Sequence, residues 1–319
     1  MYNRYYPLSV YFKSRFGQRI QKIPLDGPAT CPNRDGTISR RGCSFCNPKG
    51  SGTGLGDKGM SLAEQCRHWQ TRLGRKYKSA RFMLYLQSYT NTHGPIWKLK
   101  NMLHELAELP HTAGLCIGTR PDCLDPDKIA LISEQPWEEI WLDIGLQSSN
   151  DHTLQAINRG HSSKDFALTC EMAASAGLKV CAHVIAGLPG EDCTDFLKTI
   201  RFLNRLDIQG IKIHNLYICH ETQIAEDYYS GKYTPLSKTE FVNWTIAGLE
   251  QLSPHTVVHR LNGDPAPGEL IAPSWAADKQ GILADIRSGL EKRNTWQGKA
   301  LYPQNIPAWF ENPDPVHKK

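Results

Sequence analysis

The sequence predicts an α/β fold: a partial (β/α)6 TIM-like open barrel with an N-terminal extension and an irregular C-terminal tail. Short apolar, β-branched runs alternate with helix-like segments along most of the chain. That alternation is the pattern of parallel strands joined by right-handed crossover helices. About six such units can be counted, and a closed eight-unit barrel normally needs about 250 residues, so six units with additions at both ends use this length better. The composition, 40% hydrophobic and 22% charged, is that of a globular chain and not of a disordered, collagen-like or coiled-coil one.

The first barrel strand is the run Ile20–Leu25. Further strands are expected at Arg81–Leu86, Gly114–Gly118, Ile140–Gly145, Leu178–Ile185, Gly210–Tyr217 and Thr256–Leu261. Helices are expected between them at Ser61–Arg75, Ile96–Leu109, Pro126–Ser133, Asp151–Asn158, Lys164–Ala176 and Asp192–Leu206. Ser61 with Glu64 forms a capping-box pattern, Asp125-Pro126 supplies a cap and a first-turn proline, and Gly177 is placed as a stop. The segments read as a basic, aromatic extension (1–25), a barrel core (26–225), and a C-terminal helix/strand extension with a tail (226–319) packed on the core. From about residue 290, Pro303, Pro307, Pro313 and Pro315 interrupt regular structure.

The net charge of +5 conceals an asymmetry: residues 1–100 carry 18 Lys/Arg against four acids, and the remainder 19 against 28. Like charge gathered in one third of a folded chain repels itself, so a polyanionic partner, nucleic acid first, is a reason for it; a solvated basic face is the bland alternative. No apolar run reaches the roughly 18 residues of a membrane span, and Met1–Tyr6 lacks the apolar core of a signal peptide. A cytoplasmic protein without membrane contact is expected. Ten cysteines in a reducing compartment stand as thiols or metal ligands.

Three of them lie together, Cys31-x11-Cys43-x2-Cys46, in a Gly/Pro/Asn/Arg-rich loop after the first strand. In β/α barrels such loops carry the chemistry. A structural zinc site wants four ligands and the fourth is missing. A thioredoxin-like pair wants a helix after its second cysteine, whereas Asn47-Pro48-Lys49-Gly50 follows Cys46. Three soft thiolates suit instead a 4Fe-4S cluster with one iron left open.

With Phe45 preceding Cys46, this loop resembles that of the radical S-adenosylmethionine (SAM) superfamily, and its wide first gap is similar to that of the Elongator catalytic subunit. Gly118-Thr119-Arg120-Pro121-Asp122 resembles the Elongator-type Glu-Thr-Arg-Pro-Asp, with Gly118 in the acidic position. Asp143–Ser148 followed by Asn158-Arg159-Gly160-His161, then His183–Glu191 with its Gly187-Leu188-Pro189-Gly190 turn, continue the resemblance. It spans roughly residues 15 to 290. Asn33-Arg34-Asp35-Gly36-Thr37 makes the chain most similar to the YhcC/YtqA-like (MnmL-type) group.

The resemblance implies that Cys31, Cys43 and Cys46 hold one 4Fe-4S cluster. It implies SAM contacts from Gln147, Arg159 and His183, and from Gln87 and Ser88 where relatives carry a glycine-rich segment. It further implies a tRNA substrate, with a reductant such as flavodoxin or ferredoxin. The implied reaction converts 5-carboxymethylaminomethyl(-2-thio)uridine to 5-aminomethyl(-2-thio)uridine at the wobble position. A radical SAM enzyme of a small metabolite and a non-catalytic iron-sulfur RNA-binding protein are the alternatives. A second three-cysteine set is absent, which disfavours a two-cluster methylthiolase, and the length leaves no room for an acetyltransferase domain. Candidate RNA contacts in the basic third are Lys13, Arg15, Arg19, Arg34, Arg40 and Arg41, with Arg72, Arg75, Lys76 and Lys78 behind them and Tyr5, Tyr6, Tyr11 and Trp69 for stacking.

Overall fold

A computed structural model describes residues 3–47, 50, 52–77 and 81–311; Lys78, Pro313 and Pro315 lie outside them. The elements run α1 (Leu8–Phe16), β1 (Ile20–Leu25), α2 (Pro32–Asp35), α3 (Leu62–Tyr77), β2 (Arg81–Leu86), α4 (Ile96–Ala107) and β3 (Thr112–Thr119). Next come α5 (Pro126–Ser133), β4 (Ile140–Gln147), α6 (Asp151–Ala156), α7 (Ser163–Ser175), β5 (Lys179–Ala186), α8 (Cys193–Leu203), β6 (Gly210–Asn215) and β7 (Ile218–Cys219). The chain closes with α9 (Gln223–Tyr229), α10 (Lys238–Gln251), β8 (Val257–Arg260), β9 (Leu270–Ala272), α11 (Lys279–Lys292) and α12 (Ala308–Glu311).

Among the described residues seven strands form one parallel sheet in the order β1-β2-β3-β4-β5-β6-β8, curled into an open barrel. β7 and β9 make a separate antiparallel pair. The sheet crosses both segment bounds expected at 25 and 225: β1 belongs to it although it falls in the extension, and β8 although it follows the core. The count of six units is thus completed by a seventh strand, which arrives only after the β7–α10 excursion.

Local signals set the helix starts. Ser61 and Glu64 exchange the expected pair of bonds, Ser61 N to Glu64 Oε2 at 2.8 Å and Glu64 N to Ser61 Oγ at 3.3 Å. Asp125 caps α5 with Pro126 in its first turn, and Ser162, Asp192 and Ser237 open α7, α8 and α10 with full capping boxes. Gly177 adopts a φ of 71°, which ends α7 as expected.

Strand alternation sorts side chains to two sides of the sheet. Outward residues such as Leu84, Leu115, Leu142, Val180 and Ile211 join the covering helices in the main apolar core. Inward residues at the strand starts, Ile20, Met83, Trp141 and Val257, close around Phe12 of α1, with Tyr11 and Phe16 beside it. The N-terminal extension is therefore a helix that floors the barrel. Its own start clasps the chain's other end: Arg4 donates to Thr295 O, and Tyr6 N to Gln297 Oε1 at 2.9 Å. Pro7 bridges to Val258 on β8.

Candidate active site

The seven strands of the parallel sheet point their C-terminal ends to the same mouth, and the cysteine loop leaves β1 there. Asn33, fully buried, anchors the loop: its Nδ2 faces Asn158 O at 2.6 Å, Arg159 O at 3.1 Å and Cys43 Sγ at 3.6 Å. Asn158 answers from a left-handed φ of 52°, donating Nδ2 to Gly42 O at 2.6 Å. Ser44 N donates to Ile157 O, and Phe45 packs on the small apolar cluster of Leu154, Ile157, Ile185, Leu188, Leu216 and Ile218. The wide gap between the first two cysteines is thus spanned by a folded segment tied to the residues after α6.

The sulfurs sit among hydrogen-bond donors. Arg159 Nη1 lies 3.5 Å from Cys43 Sγ, and Arg34 donates to Cys46 O and Asn47 O at 2.6 and 2.5 Å. Burial and then Cys43 push the Cys46 thiol up, while the Arg34 guanidinium opposes them. Such N–H donors stabilise sulfur that carries negative charge, as it does on iron. Among the described residues the one Cys/His/Asp/Glu triple within 4.8 Å is Asp143, Cys181 and His183, so the three loop sulfurs do not crowd a single ion and have room for a larger group. That spacing fits a cluster better than zinc.

Of the five expected SAM residues, Gln147 and Arg159 come together at the mouth, and Gln87 and Ser88 follow the mouth end of β2. A Cβ on Gly145 would come within 2.4 Å of Arg159 Nη2 and 2.5 Å of Gln147 Nε2, so both side chains converge over this glycine. Arg159 Nη2 donates to Gly145 O at 2.8 Å, and Gln147 takes a φ of 76° at a bulge in β4. Ser88, two residues past the end of β2, has a buried Oγ lacking any partner, and Arg159 Nε and Arg120 Nη1 are likewise buried without partners. Three orphaned polar atoms at the mouth, those of Arg159 and Arg120 close to the loop cysteines, fit a polar ligand such as SAM, because each is costly when nothing satisfies it. Gln87 is half-buried next to Ser88. His183 sits deeper, with Nε2 3.8 Å from Asp143 Oδ2. Gly118, in place of the acid, has a packing reason: a Cβ there would meet Leu86 O at 2.7 Å.

The RNA candidates separate. Arg40 and Arg41 are exposed on the cysteine loop. Arg34 is spent on that loop's own carbonyls, as above. Lys13, Arg15 and Arg19 lie at the floor end: Arg15 pairs with Glu139 at 3.2 Å, and Arg19 covers the Tyr77 ring. Tyr6 stacks on Trp309 and Tyr11 packs edge-on against Trp141, so neither ring faces the mouth.

Sequence reading gave no role to three charged residues inside the barrel, of which Asp143 and Lys212 are buried and Lys22 half-buried. Asp143 on β4 accepts from Lys212 on β6 at 2.6 Å and lies 3.7 Å from Lys22 on β1. Lys212 also donates to Tyr85 OH on β2 at 2.9 Å. The available signal was a charge in the middle of an apolar strand, as in Ile140-Trp141-Leu142-Asp143-Ile144 and Gly210-Ile211-Lys212-Ile213.

With Arg159 placed between Cys43 and the strand ends, Arg159→Ala is expected to weaken SAM binding about tenfold or more while iron content stays near wild type. Equilibrium binding of SAM alongside iron analysis checks this; unchanged affinity would remove Arg159 from the site.

Comparison with known proteins places this geometry. The radical SAM superfamily matches residues 35–203 and the radical SAM C-terminal domain residues 208–292. The chain is 35% identical over 297 residues to YtqA of Bacillus subtilis, covering 93% of this chain and 92% of that protein. To YhcC of Escherichia coli it is 34% identical over 292 residues, covering 90% and 92%. A tRNA uridine(34) acetyltransferase of Dehalococcoides mccartyi is 29% identical over 189 residues, 57% of this chain and 39% of that one. In fold, the chain is similar to the archaeal Elp3 of Methanocaldococcus infernus at a TM-score of 0.67, with 18% identity, covering 93% of this chain and 69% of that structure. No helix among the described residues is long and apolar enough to cross a membrane. The barrel, the three-cysteine loop at its mouth and these matches have one reading: the chain is a radical SAM enzyme of the YhcC/YtqA-like group, related to the radical SAM domain of Elongator protein 3, with a 4Fe-4S cluster and SAM as its cofactors.

Proposed function

We propose that this enzyme modifies tRNA, converting 5-carboxymethylaminomethyl(-2-thio)uridine at the wobble position to 5-aminomethyl(-2-thio)uridine. The observation that carries the reading is the likeness, over 57% of the chain, to a protein named for modifying tRNA uridine 34. The excess of positive charge in residues 1–100 agrees with an RNA partner.

In this reading Cys31, Cys43 and Cys46 hold the cluster, and Ser88, Gln87, Gln147, Arg159 and His183 hold SAM. When bound and reduced, these cofactors supply a 5′-deoxyadenosyl radical that takes one hydrogen atom from the substrate. Asn33 and Asn158 fix the loop that carries the thiolates, and Arg159 places positive charge between sulfur and the strand ends. The floor formed by Phe12, Met83 and Trp141 keeps water from the closed end of the barrel. The substrate loses the hydrogen beside its side-chain nitrogen, then one electron and one proton, which leaves an imine. The electron passes to an oxidised carrier such as flavodoxin or ferredoxin and so replaces the one spent on SAM. Water adds to the imine, the C–N bond breaks, and the carboxymethyl unit leaves as glyoxylate. RNA contact is proposed for Arg40 and Arg41, the candidates exposed beside the mouth.

The test is anaerobic reaction of reduced protein and SAM with tRNA bearing the carboxymethylaminomethyl group, followed by nucleoside mass spectrometry. Stoichiometric 5-aminomethyl product is expected. Unaltered tRNA, with a small metabolite accelerating 5′-deoxyadenosine formation, would transfer the enzyme to metabolite chemistry.

A further inference from the structure

The charges inside the barrel do not balance. Lys22 and Lys212 both approach Oδ2 of the same carboxylate, Asp143, at 3.7 and 2.6 Å. Lys212 is 3% exposed and Asp143 1%. Two ammonium groups against one carboxylate leave one positive charge unmatched, on the half-buried Lys22, and an anion seated between the two ammonium groups is attracted by both. Arg260 on β8 lies near enough to depress His183 and His214 further, adding to the excess.

The neighbours of this layer are neutral. Burial, and after it Lys212, lowers His183 to about 4; burial and then Arg260 hold His214 well below the usual range. Lys22 donates from Nζ to His259 Nδ1 at 3.3 Å, because an ammonium has no acceptor; the proton of that ring is thereby fixed on Nε2, against the Trp141 side. Polar atoms remain unpaired here as well: Asp143 Oδ1, His183 Nε2 and His214 Nε2 are buried without partners.

A metal ion is the competing occupant, since Asp143, Cys181 and His183 offer three ligand atoms within 4.8 Å. The charges decide against it. A cation at Asp143 would face two ammonium groups that already neutralise the carboxylate, and burial keeps the Cys181 thiol protonated well above its ordinary range. The surplus calls for an anion.

The layer is reachable. β1 and β8 are the two ends of the sheet, and a cleft of about 530 Å³ runs along the seam between them, lined by Arg19, Lys22, His259, Arg260 and Asn262. Lys22 keeps 17% and His183 19% of its side chain exposed. Upward, Asp143 stands two residues below Gly145, about 6–7 Å along the strand, and Gly145 is the residue over which Gln147 and Arg159 converge.

We propose that Lys22 and Lys212 form a subsite for a carboxylate on the substrate, with Asp143 Oδ1 accepting from an amine beside that carboxylate. It rests on the function proposed above, where it takes the carboxymethylamino group of the modified uridine. The carboxylate lies at the depth of Lys22, and the carbon that joins it to the nitrogen lies in the same layer, on the side that faces Gly145. The subsite makes the charged carboxymethyl tail a condition for reaction, not merely its casualty.

Lys22→Met is the informative variant, because it leaves the Lys212–Asp143 pair intact and removes the partly exposed cation. Wild-type enzyme is expected to prefer carboxymethylaminomethyl tRNA over the same tRNA with that carboxylate converted to its neutral amide by about tenfold or more in kcat/KM. Lys22→Met should lose the preference and Lys22→Arg keep most of it. Calorimetric titration of the iron-loaded protein with N-methylglycine, a free copy of the tail, should show binding that Lys22→Met abolishes, that acetate matches only weakly and that inorganic phosphate does not match. An unchanged preference in a Lys22→Met enzyme with wild-type thermal unfolding would overturn the subsite while leaving the tRNA reaction standing. Lys22-dependent binding of N-methylglycine by a protein that leaves tRNA unaltered would keep the subsite and reject the tRNA reaction. Phosphate binding as tightly as N-methylglycine would make the site one for a phosphate group, and the carboxylate assignment would fall.

Discussion

Cys43→Ala is expected to come from an anaerobic preparation colourless and without its 4Fe-4S cluster, and so with no SAM cleavage at all. Three thiolates leave no spare ligand, and Cys43 is the one whose sulfur takes donors from both Asn33 and Arg159. The other cysteines are poor substitutes. Cys66 on α3, Cys116 on β3, Cys170 on α7 and Cys219 on β7 are buried and lie off the loop that carries the other two thiolates. Iron and sulfide analysis with the visible absorption spectrum reads the result; Cys66→Ala should load fully, and full loading of Cys43→Ala would reject the ligand assignment.

The largest loss of stability is expected from Lys212→Met. It leaves Asp143 with Lys22 at 3.7 Å and the neutral His183 ring at 3.8 Å, and breaking a buried pair by removing one partner typically costs about 3–5 kcal/mol. Asp143→Asn with Lys212→Met should recover much of this, because the uncompensated carboxylate is gone. The pH dependence follows with a definite sign. Although burial alone would raise the Asp143 carboxyl, Lys212 and Lys22 hold it well below its ordinary range. A depressed folded-state pKa gives stability that is fully present above the unfolded value near 4 and is lost as pH falls toward the folded one. Chemical denaturation between pH 7 and 3 should show that loss in the wild type and a flatter profile in the double variant. A Lys212→Met protein within about 1 kcal/mol of wild type would mean that the pair is not held as described.

What could be read in the sequence depended on how local the determinant is. The Cys31–Cys46 loop, the capping boxes and most inner strands are announced by residues within a few positions of one another. Strands β2 and β4 start where their apolar runs start, at Arg81 and Ile140. The lumen layer is another matter: Lys22, Tyr85, Asp143 and Lys212 come from four strands and meet only because the sheet curls, with 127 positions separating Tyr85 from Lys212. Helix α1 escaped for a related reason. Its Leu-Ser-Val-Tyr-Phe-Lys-Ser-Arg-Phe run has little amphipathic pattern, since it plugs the barrel end on with Phe12 buried and does not lie along a surface. Charge counting found the basic third, but it could not tell Arg40 at the mouth from Arg15, whose charge is used on Glu139 at the floor.

The clasp between the two ends of the chain sets an order of events during synthesis. Residues 4–7 leave the ribosome well before the atoms they bind, which belong to Val258, Thr295 and Gln297; Arg4 waits 291 positions for Thr295. Until those residues emerge, residues 4–7 have none of these partners. Contacts of such separation form late, because the entropy of closing the whole chain must be overcome before they return anything. The nascent protein therefore passes through a stage in which its cysteine loop is already complete while its floor is not yet locked.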